Sequence, residues 1–438
     1  MSDTIAIVGF GYVGAVIGVC LAERGCRVIG VDINPRTVAL TNQGRTEIFE
    51  PGLPELLSRH VEAGNLDATT DFAVVEKAEY IIVTVGTPLG SDLKPDLQPL
   101  RRAAQLIGPH LRRGHTVILK STVVPRVTSD HFTPILVTSS GLTPGKDFHL
   151  AFSPERIAEG LAIREFLSLP IVVGADDAAS LERVCALWHK VLQVQTISIS
   201  STVGAEMVKL TDNLWIDVNI ALANQVAKLC DACGVDFDEI QRAANTLPKG
   251  HGNVNVLQSS VGVGGSCLTK DSLFFASLLD ENGLDSKFIR VARNVNDSMP
   301  LYTIDVMERW LSKRLVARGK IAVLGLAFKN DTNDMRFTPV LPLVQQLTSR
   351  NHVFVVADPY VAADRVRVMF GKNVNFVSTE EAVSDASILC FSCGHKAYRD
   401  LNLSSLRKQT ASPCLFVDGR HSFSHRAVMD AGFEYQSI

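Results

Sequence analysis

The stretch Ile5-Ala-Ile-Val-Gly9-Phe-Gly11-Tyr-Val-Gly14, with Arg27-Val-Ile-Gly-Val-Asp32 downstream, decides the fold. A short apolar run reads as a buried strand and the glycines as a tight turn. Val13 to Arg24 reads as a helix, and a second strand then ends on an acid. Gly9 permits the turn, Gly11 lets backbone approach a pyrophosphate, and Gly14 packs helix against strand. The helix N-terminus, carrying Tyr12 and Val13, then faces the anion. Asp32 would accept a hydrogen bond from a ribose 2′-OH and repel a 2′-phosphate, which favours NAD over NADP. Arg36 lies close by and leaves a small opening for NADP.

Outward from this unit, Tyr80 to Val85, Thr116 to Lys120 and Ile171 to Gly174 read as further buried strands. Strands alternating with helices imply βαβ units and a parallel sheet. The texture changes near Ser201. From Ala205 to Cys233 there is no proline or glycine, and Met207, Leu210, Leu214, Val218 and Ala221 recur at helical spacing. A helix of about 30 residues exceeds the usual length, so it is expected to span a domain junction or build a subunit interface. After Pro300 the chain returns to α/β texture, with strands at Lys320, Val353, Ser387 and Cys414. The expected fold is α/β: two Rossmann-like, doubly wound parallel-sheet domains joined by a long central helix in an all-helical middle. The expected boundaries are 1–200, 201–300 and 301–438.

Composition narrows the function. With 43 basic and 46 acidic side chains in 438 residues the net charge is −3, which disfavours a dedicated nucleic-acid binder. No apolar run approaches the ~20 residues of a membrane helix, so no membrane insertion is expected. Ile5 to Ala22 is apolar enough to pass for a leader, but it lacks a basic flank and three glycines interrupt it. Nine scattered cysteines fit a reducing cytoplasm without a disulfide framework. Cys230 with Cys233 and Cys390 with Cys393 fall in helix and strand patterns, so buried thiols are expected rather than zinc ligands. No metal site is expected.

The second signal is Val261-Gly-Val-Gly-Gly-Ser-Cys267-Leu-Thr-Lys270-Asp271. Cys267 follows a glycine cluster that reads as mobile and precedes a helix starting near Lys270. A helix N-terminus and a lysine both favour thiolate, the nucleophilic form. On this pattern alone a buried thiol beside a glycine turn remains the commoner outcome. Glu206, Lys209 and Asn213 form a polar stripe on the long helix, either functional or a solvated face. Ser121-Thr122 follows a strand end and either sets a hydroxyl near a cofactor or makes a turn.

Together these motifs resemble the nucleotide-sugar 6-dehydrogenases, the UDP-glucose / UDP-N-acetylhexosamine / GDP-mannose dehydrogenase family. The resemblance runs the whole length. It rests on the glycine loop and Asp32, Glu50-Pro-Gly-Leu, Gly86-Thr87-Pro88, Ser121-Thr122-Val and Pro154-Glu155-Arg156. It continues through Ala205-Glu-Met-Val-Lys209-Leu-Thr-Asp-Asn213, Gly264-Gly-Ser-Cys267, Lys270-Asp271, Gly325-Leu-Ala-Phe-Lys329, Asp334-Met-Arg336 and Asp418-Gly-Arg420.

The resemblance implies a four-electron oxidation of a sugar C6 alcohol to a carboxylate with two NAD⁺. Cys267 would be the nucleophile that carries a thiohemiacetal and then a thioester. Lys209 and Asn213 would stabilise the oxyanion, Asp271 would hold a water for proton transfer, Glu155 would assist the hydrolytic water, and Thr122 would act at the C6 oxygen. Thr87, Thr122 and Arg336 would join the cofactor site. Glu155, Arg156, Lys209, Asn213, Asn255, Gly264, Lys329 and Arg420 would contact the UDP-sugar. Relatives are dimers on the long central helix, so a homodimer is implied. Pro154-Glu155-Arg156 and Val254-Asn255 look like the N-acetylhexosamine branch (UDP-GlcNAc or UDP-ManNAc). Ser266-Cys267-Leu-Thr looks more like the glucose branch, so UDP-glucose is the alternative.

Overall fold

A computed structural model describes residues 3–88, 90, 94–250, 252–316 and 319–438. They form two compact units, Met1–Asp212 and Asn213–Ile438.

The first unit is built on eight strands: β1 (Thr4–Val8), β2 (Arg27–Val31), β3 (Leu66–Thr69), β4 (Tyr80–Val83), β5 (Thr116–Leu119), β6 (His149–Phe152), β7 (Ile171–Gly174) and β8 (Thr196–Ile199). Their order is β3-β2-β1-β4-β5-β6-β7-β8. All neighbours are parallel except β6 and β7, which meet antiparallel at Phe152 and Gly174. The chain winds outward from β1 to β3, then returns to the other side of β1 with β4. That reversal opens a crevice at the carboxyl ends of β1 and β4. Ile5 and Ile7 enter one core, Ala6 and Val8 the other. Burial on both faces is why the strand reads as an unbroken apolar run. The helix Tyr12–Glu23 buries every residue from Gly14 to Ala22. Its leader-like apolarity is that of a helix sunk into the core.

The second unit begins inside the long helix and carries a short antiparallel pair, β9 (Pro248–Lys249) and β10 (Gly252–Asn253). It then builds a sheet from β11 (Lys320–Leu324), β12 (Phe354–Ala357), β13 (Ala386–Phe391), β14 (Leu415–Asp418) and β15 (Glu434–Ser437). The order β12-β11-β13-β14-β15 is parallel throughout. Ile321 and Val323 face one core, Ala322 and Leu324 the other.

The long helix runs from Thr202 to Cys233, 32 residues. It begins ahead of the expected Ala205 because its first turn is capped: the Ser201 hydroxyl accepts the Gly204 N–H at 3.0 Å, and Thr202 donates its N–H and hydroxyl to Asp176. Gly204 is tolerated there, within the first turn. Gly234, at φ +69°, follows the last turn. Pro300, expected to mark the return to α/β texture, lies inside the helix Lys287–Lys313. Proline removes one backbone donor, and here the helix passes through that loss. Among the described residues no helix is long and apolar enough to cross a membrane.

Candidate functional site

In the first unit the glycine loop takes the geometry its spacing implies. Gly9 sits at φ +93°, and a Cβ there would lie 2.9 Å from the Val85 nitrogen. A Cβ on Gly14 would lie 2.3 Å from the Gly9 carbonyl oxygen, so helix and turn touch only through glycine. A Cβ on Gly11 would meet nothing within 4 Å. Its missing side chain therefore keeps the crevice mouth clear rather than relieving an internal clash. Tyr12 opens the helix, and Val13 packs against the core behind it. The adjoining cavity of about 260 Å³ is lined by Gly9, Gly11, Asp32, Ile33, Gly86 and Arg102, among others. One Asp32 oxygen accepts the Phe10 N–H and the other the Asn34 N–H, each at 2.8 Å, which locks the loop to the end of β2. An open glycine mouth, a helix N-terminus and a fixed carboxylate fit a dinucleotide. Arg36 is ion-paired with Glu47. Arg102 and Ile33 on the cavity wall were missed in the sequence because neither belongs to a motif.

Glu155 follows β6, beside the end of β5. Its Oε1 accepts the backbone N–H groups of Arg156 (2.8 Å) and Ile157 (3.1 Å). Its Oε2 lies 3.2 Å from the ammonium of Lys120. Lys120 was read only as the end of a strand; the available signal was a lysine closing an otherwise apolar run. The Arg156 guanidinium donates to the Pro170 carbonyl and lies 3.8 Å from Asp212. Thr87 is buried and donates its hydroxyl to the Thr122 carbonyl, joining the loops after β4 and β5. Glu50, buried, accepts the Tyr12 hydroxyl and the N–H groups of Gly160 (2.6 Å) and Ala162 (2.8 Å). It thereby ties the loop behind Glu155 to the start of the dinucleotide helix.

The polar stripe of the long helix is not a solvated face: Glu206, Lys209 and Asn213 are 0%, 9% and 6% exposed. Glu206 serves structure. It accepts the Arg126 N–H at 2.6 Å and the Thr128 N–H at 2.8 Å, pinning Arg126 at φ +75°. Burial pushes its carboxyl up to about 7.

In the second unit Cys267 is the N-cap of the helix Leu268–Glu281 and makes no capping bond with its side chain. It is exposed, whereas Cys20, Cys26, Cys230, Cys390, Cys393 and Cys414 are buried; Cys233, expected to be buried, is exposed because it ends the last turn of the long helix. Burial pushes the thiols of Cys20, Cys390 and Cys393 up to about 12, far from nucleophilic. One turn after Cys267, the fully buried Asp271 accepts the Asn213 amide at 2.5 Å. Two expectations fail here. The glycine cluster is not mobile: Val261 to Gly265 are buried. A Cβ on Gly264 would lie 2.6 Å from Phe328 Cβ, so close packing, not freedom, demands glycine. Nor is Lys270 poised on the thiol. Its ammonium pairs with Asp271 at 2.7 Å and lies 4.8 Å from the Phe274 ring centre. Of the two expected neighbours, the helix N-terminus is the one that stays beside the thiol.

A cavity of about 400 Å³ in this unit gathers Gly264, Lys329, Asn330 and Arg420, with Ser259 and Ser260 beside them. Arg420 is held by the carbonyls of Ser392 (3.1 Å) and Phe328 (2.9 Å). Asn255 does not line this cavity; it is exposed, and its carbonyl accepts the Asn219 amide. Arg336 is paired with Asp334. Sequence reading missed the buried support: His395 Nδ1 accepts the Asp331 N–H at 2.8 Å and Nε2 meets Asp358 at 3.2 Å, which fixes the loop carrying Asn330. Among the described residues no group of three or more His, Cys, Asp or Glu side chains is placed to hold a metal ion.

The chain matches three consecutive parts of the UDP-glucose/GDP-mannose dehydrogenase family: the NAD binding domain over residues 3–192, the central domain over 203–298 and the UDP binding domain over 322–425. It is 33% identical over 432 residues to an NDP-N-acetyl-D-galactosaminuronic acid dehydrogenase of Ralstonia nicotianae, covering 97% of each. It is 32% identical over 447 residues to the UDP-glucose 6-dehydrogenase AglM of Haloferax volcanii, covering 99% of each. A solved structure of a UDP-D-ManNAc dehydrogenase from Pyrococcus horikoshii superposes with a TM-score of 0.86 at 31% identity, covering 99% of both chains.

Proposed function

The chain belongs to the UDP-glucose/GDP-mannose dehydrogenase family and is an NAD-dependent nucleotide-sugar dehydrogenase, and from that premise we propose that it oxidises the C6 alcohol of a UDP-N-acetylhexosamine, UDP-GlcNAc or UDP-ManNAc, to the uronic acid. One observation carries the mechanism: an exposed thiol at a helix N-terminus, one turn from a buried carboxylate that an amide from the long helix holds in place.

The glycine loop and Asp32 would hold NAD⁺, which when bound would supply the hydride acceptor for both oxidations at C6. In the first, a water held by Asp271 takes the hydroxyl proton, and Thr122 steadies the C6 oxygen. Cys267 then attacks the aldehyde carbon. The Sγ–C6 bond forms and the carbonyl pair moves to oxygen, where Lys209 and Asn213 stabilise the charge. The second oxidation leaves a thioester. Water attacks C6, Glu155 takes the water's proton, and the C6–Sγ bond breaks with its pair returning to sulfur. Lys329, Arg420, Gly264 and Arg156 hold the nucleotide sugar; Asn255, away from the cavity, is given no part in it. Arg336 serves the dinucleotide phosphates.

We further read residues 1–200, 201–300 and 301–438 as cofactor, dimerisation and UDP-sugar domains. Trp215, Leu222 and Leu229 are exposed at a seven-residue spacing on the long helix, an apolar stripe that supports a homodimer through this helix. The nine unpaired cysteines fit a cytoplasmic enzyme.

NADH absorbance with UDP-GlcNAc, UDP-ManNAc, UDP-GalNAc, UDP-glucose and GDP-mannose tests the substrate. The highest kcat/KM is expected for UDP-GlcNAc or UDP-ManNAc. A clear preference for UDP-glucose would favour the reading supported by Ser266-Cys267-Leu-Thr and by the likeness to AglM.

A further inference from the structure

Lys120 follows the last residue of β5, and its side chain is only 1% exposed. Lysine is almost never buried without a reason, and a buried ion pair contributes little net stability compared with apolar packing. Its ammonium lies 5.3 Å from the Trp188 ring centre and 5.8 Å from that of Phe166, an apolar cage open toward one anion. That anion is Oε2 of Glu155, at 3.2 Å. The other Glu155 oxygen is taken by two backbone N–H groups, so its orientation is fixed at both ends. Arg156 and Lys209 add positive charge around Lys120, and burial with these neighbours pushes the ammonium below its ordinary range while Glu155 holds it up. A cavity of about 20 Å³, room for one water, is lined by Lys120, Glu155, Arg156 and Phe166.

We propose that Lys120 is a positioning residue for the hydrolytic half-reaction, holding the Glu155 carboxylate aimed at the water that releases the product. The inference rests on the role given to Glu155 above. Lys120 does not touch the sugar; it acts through Glu155. The thiol chemistry precedes this step and is independent of it.

The test compares Lys120→Met, Lys120→Gln, Glu155→Gln and the double variant Lys120→Met/Glu155→Gln, mixed rapidly with UDP-sugar and NAD⁺. Unchanged NAD binding in both Lys120 variants reports that the first unit is folded. Each single variant is expected to give a burst of two NADH per active site, then a steady state slowed about 10- to 100-fold, within the usual range for lost acid–base assistance. Intact mass should show the thioester accumulating on Cys267. The double variant should be no slower than Glu155→Gln alone. A slowed Glu155→Gln beside a wild-type Lys120→Met overturns the inference alone. Wild-type hydrolysis in Glu155→Gln overturns the role of Glu155 and the inference with it. A Lys120→Met that loses NAD binding together with a Lys120→Gln that binds NAD and hydrolyses normally also overturns it.

Discussion

Cys267 is one sulfur among nine, and its setting separates it from the rest. Six thiols are buried and Cys185 is half-buried; Cys233 is exposed at the C-terminal end of the long helix, and Cys267 is exposed at a helix N-terminus. Replacing it with serine removes the proposed nucleophile, and Cys267 is not among the residues lining the dinucleotide cavity. Cys267→Ser should lose at least about 10³-fold in acid production, with NAD affinity, read by fluorescence titration, unchanged. Acid formed at the wild-type rate would remove the covalent route. Asp32 is a residue-scale test of the cofactor. Asp32→Ala removes the proposed acceptor for the ribose and the anchor of the Phe10 and Asn34 N–H groups. A charged hydrogen bond is worth about 1.5–3 kcal/mol, so KM for NAD should rise about 10- to 100-fold and the preference over NADP should narrow. An unchanged NAD/NADP ratio would place Asp32 away from the ribose.

At the scale of elements, the two glycine segments do different work. Gly11 leaves open space for a ligand, whereas Gly264 lets the loop before Cys267 lie against Phe328. Gly264→Ala should cost about 1–3 kcal/mol by overpacking, seen as a lower Tm, and should weaken nucleotide-sugar binding more than NAD binding. Glu206 makes the long helix pH-sensitive. Its folded carboxyl sits near 7, against an ordinary 4.5, because it is buried. Between those values the native chain holds a proton that the unfolded chain has released, so stability falls as pH rises through that window. Glu206→Gln should flatten that slope in denaturant melts between pH 4.5 and 7; an unchanged slope would contradict the assignment.

The same elements show what a sequence can disclose. Strand β1, the glycine turn and the helix after it were legible because each obeys a period or a steric rule. The stripe Glu206, Lys209, Asn213 was legible as polar, but burial is a tertiary fact, and only the fold shows Glu206 anchoring the Arg126 loop while the Asn213 amide holds Asp271. The glycines before Cys267 looked mobile because sequence shows a missing side chain and not the Phe328 ring that requires its absence. Lys120 was invisible as a partner of Glu155 because the two meet through the pairing of β5 with β6, about 35 residues apart.

At the scale of the whole molecule, the proposed reaction is two oxidations on one carbon, with a thiol to hold the carbon between them. The apolar stripe on the long helix predicts that the chain is a dimer in sedimentation equilibrium, and that Leu222→Glu with Leu229→Glu shifts it to monomer. A wild-type chain that sediments as a monomer at micromolar concentration would refute that interface. The account as a whole depends on stoichiometry more than on rate. Limiting UDP-sugar, excess NAD⁺ and an end-point absorbance reading give the number of NADH formed per sugar consumed. The covalent two-step mechanism requires two; a value of one, with an aldehyde as the final product, would contradict it.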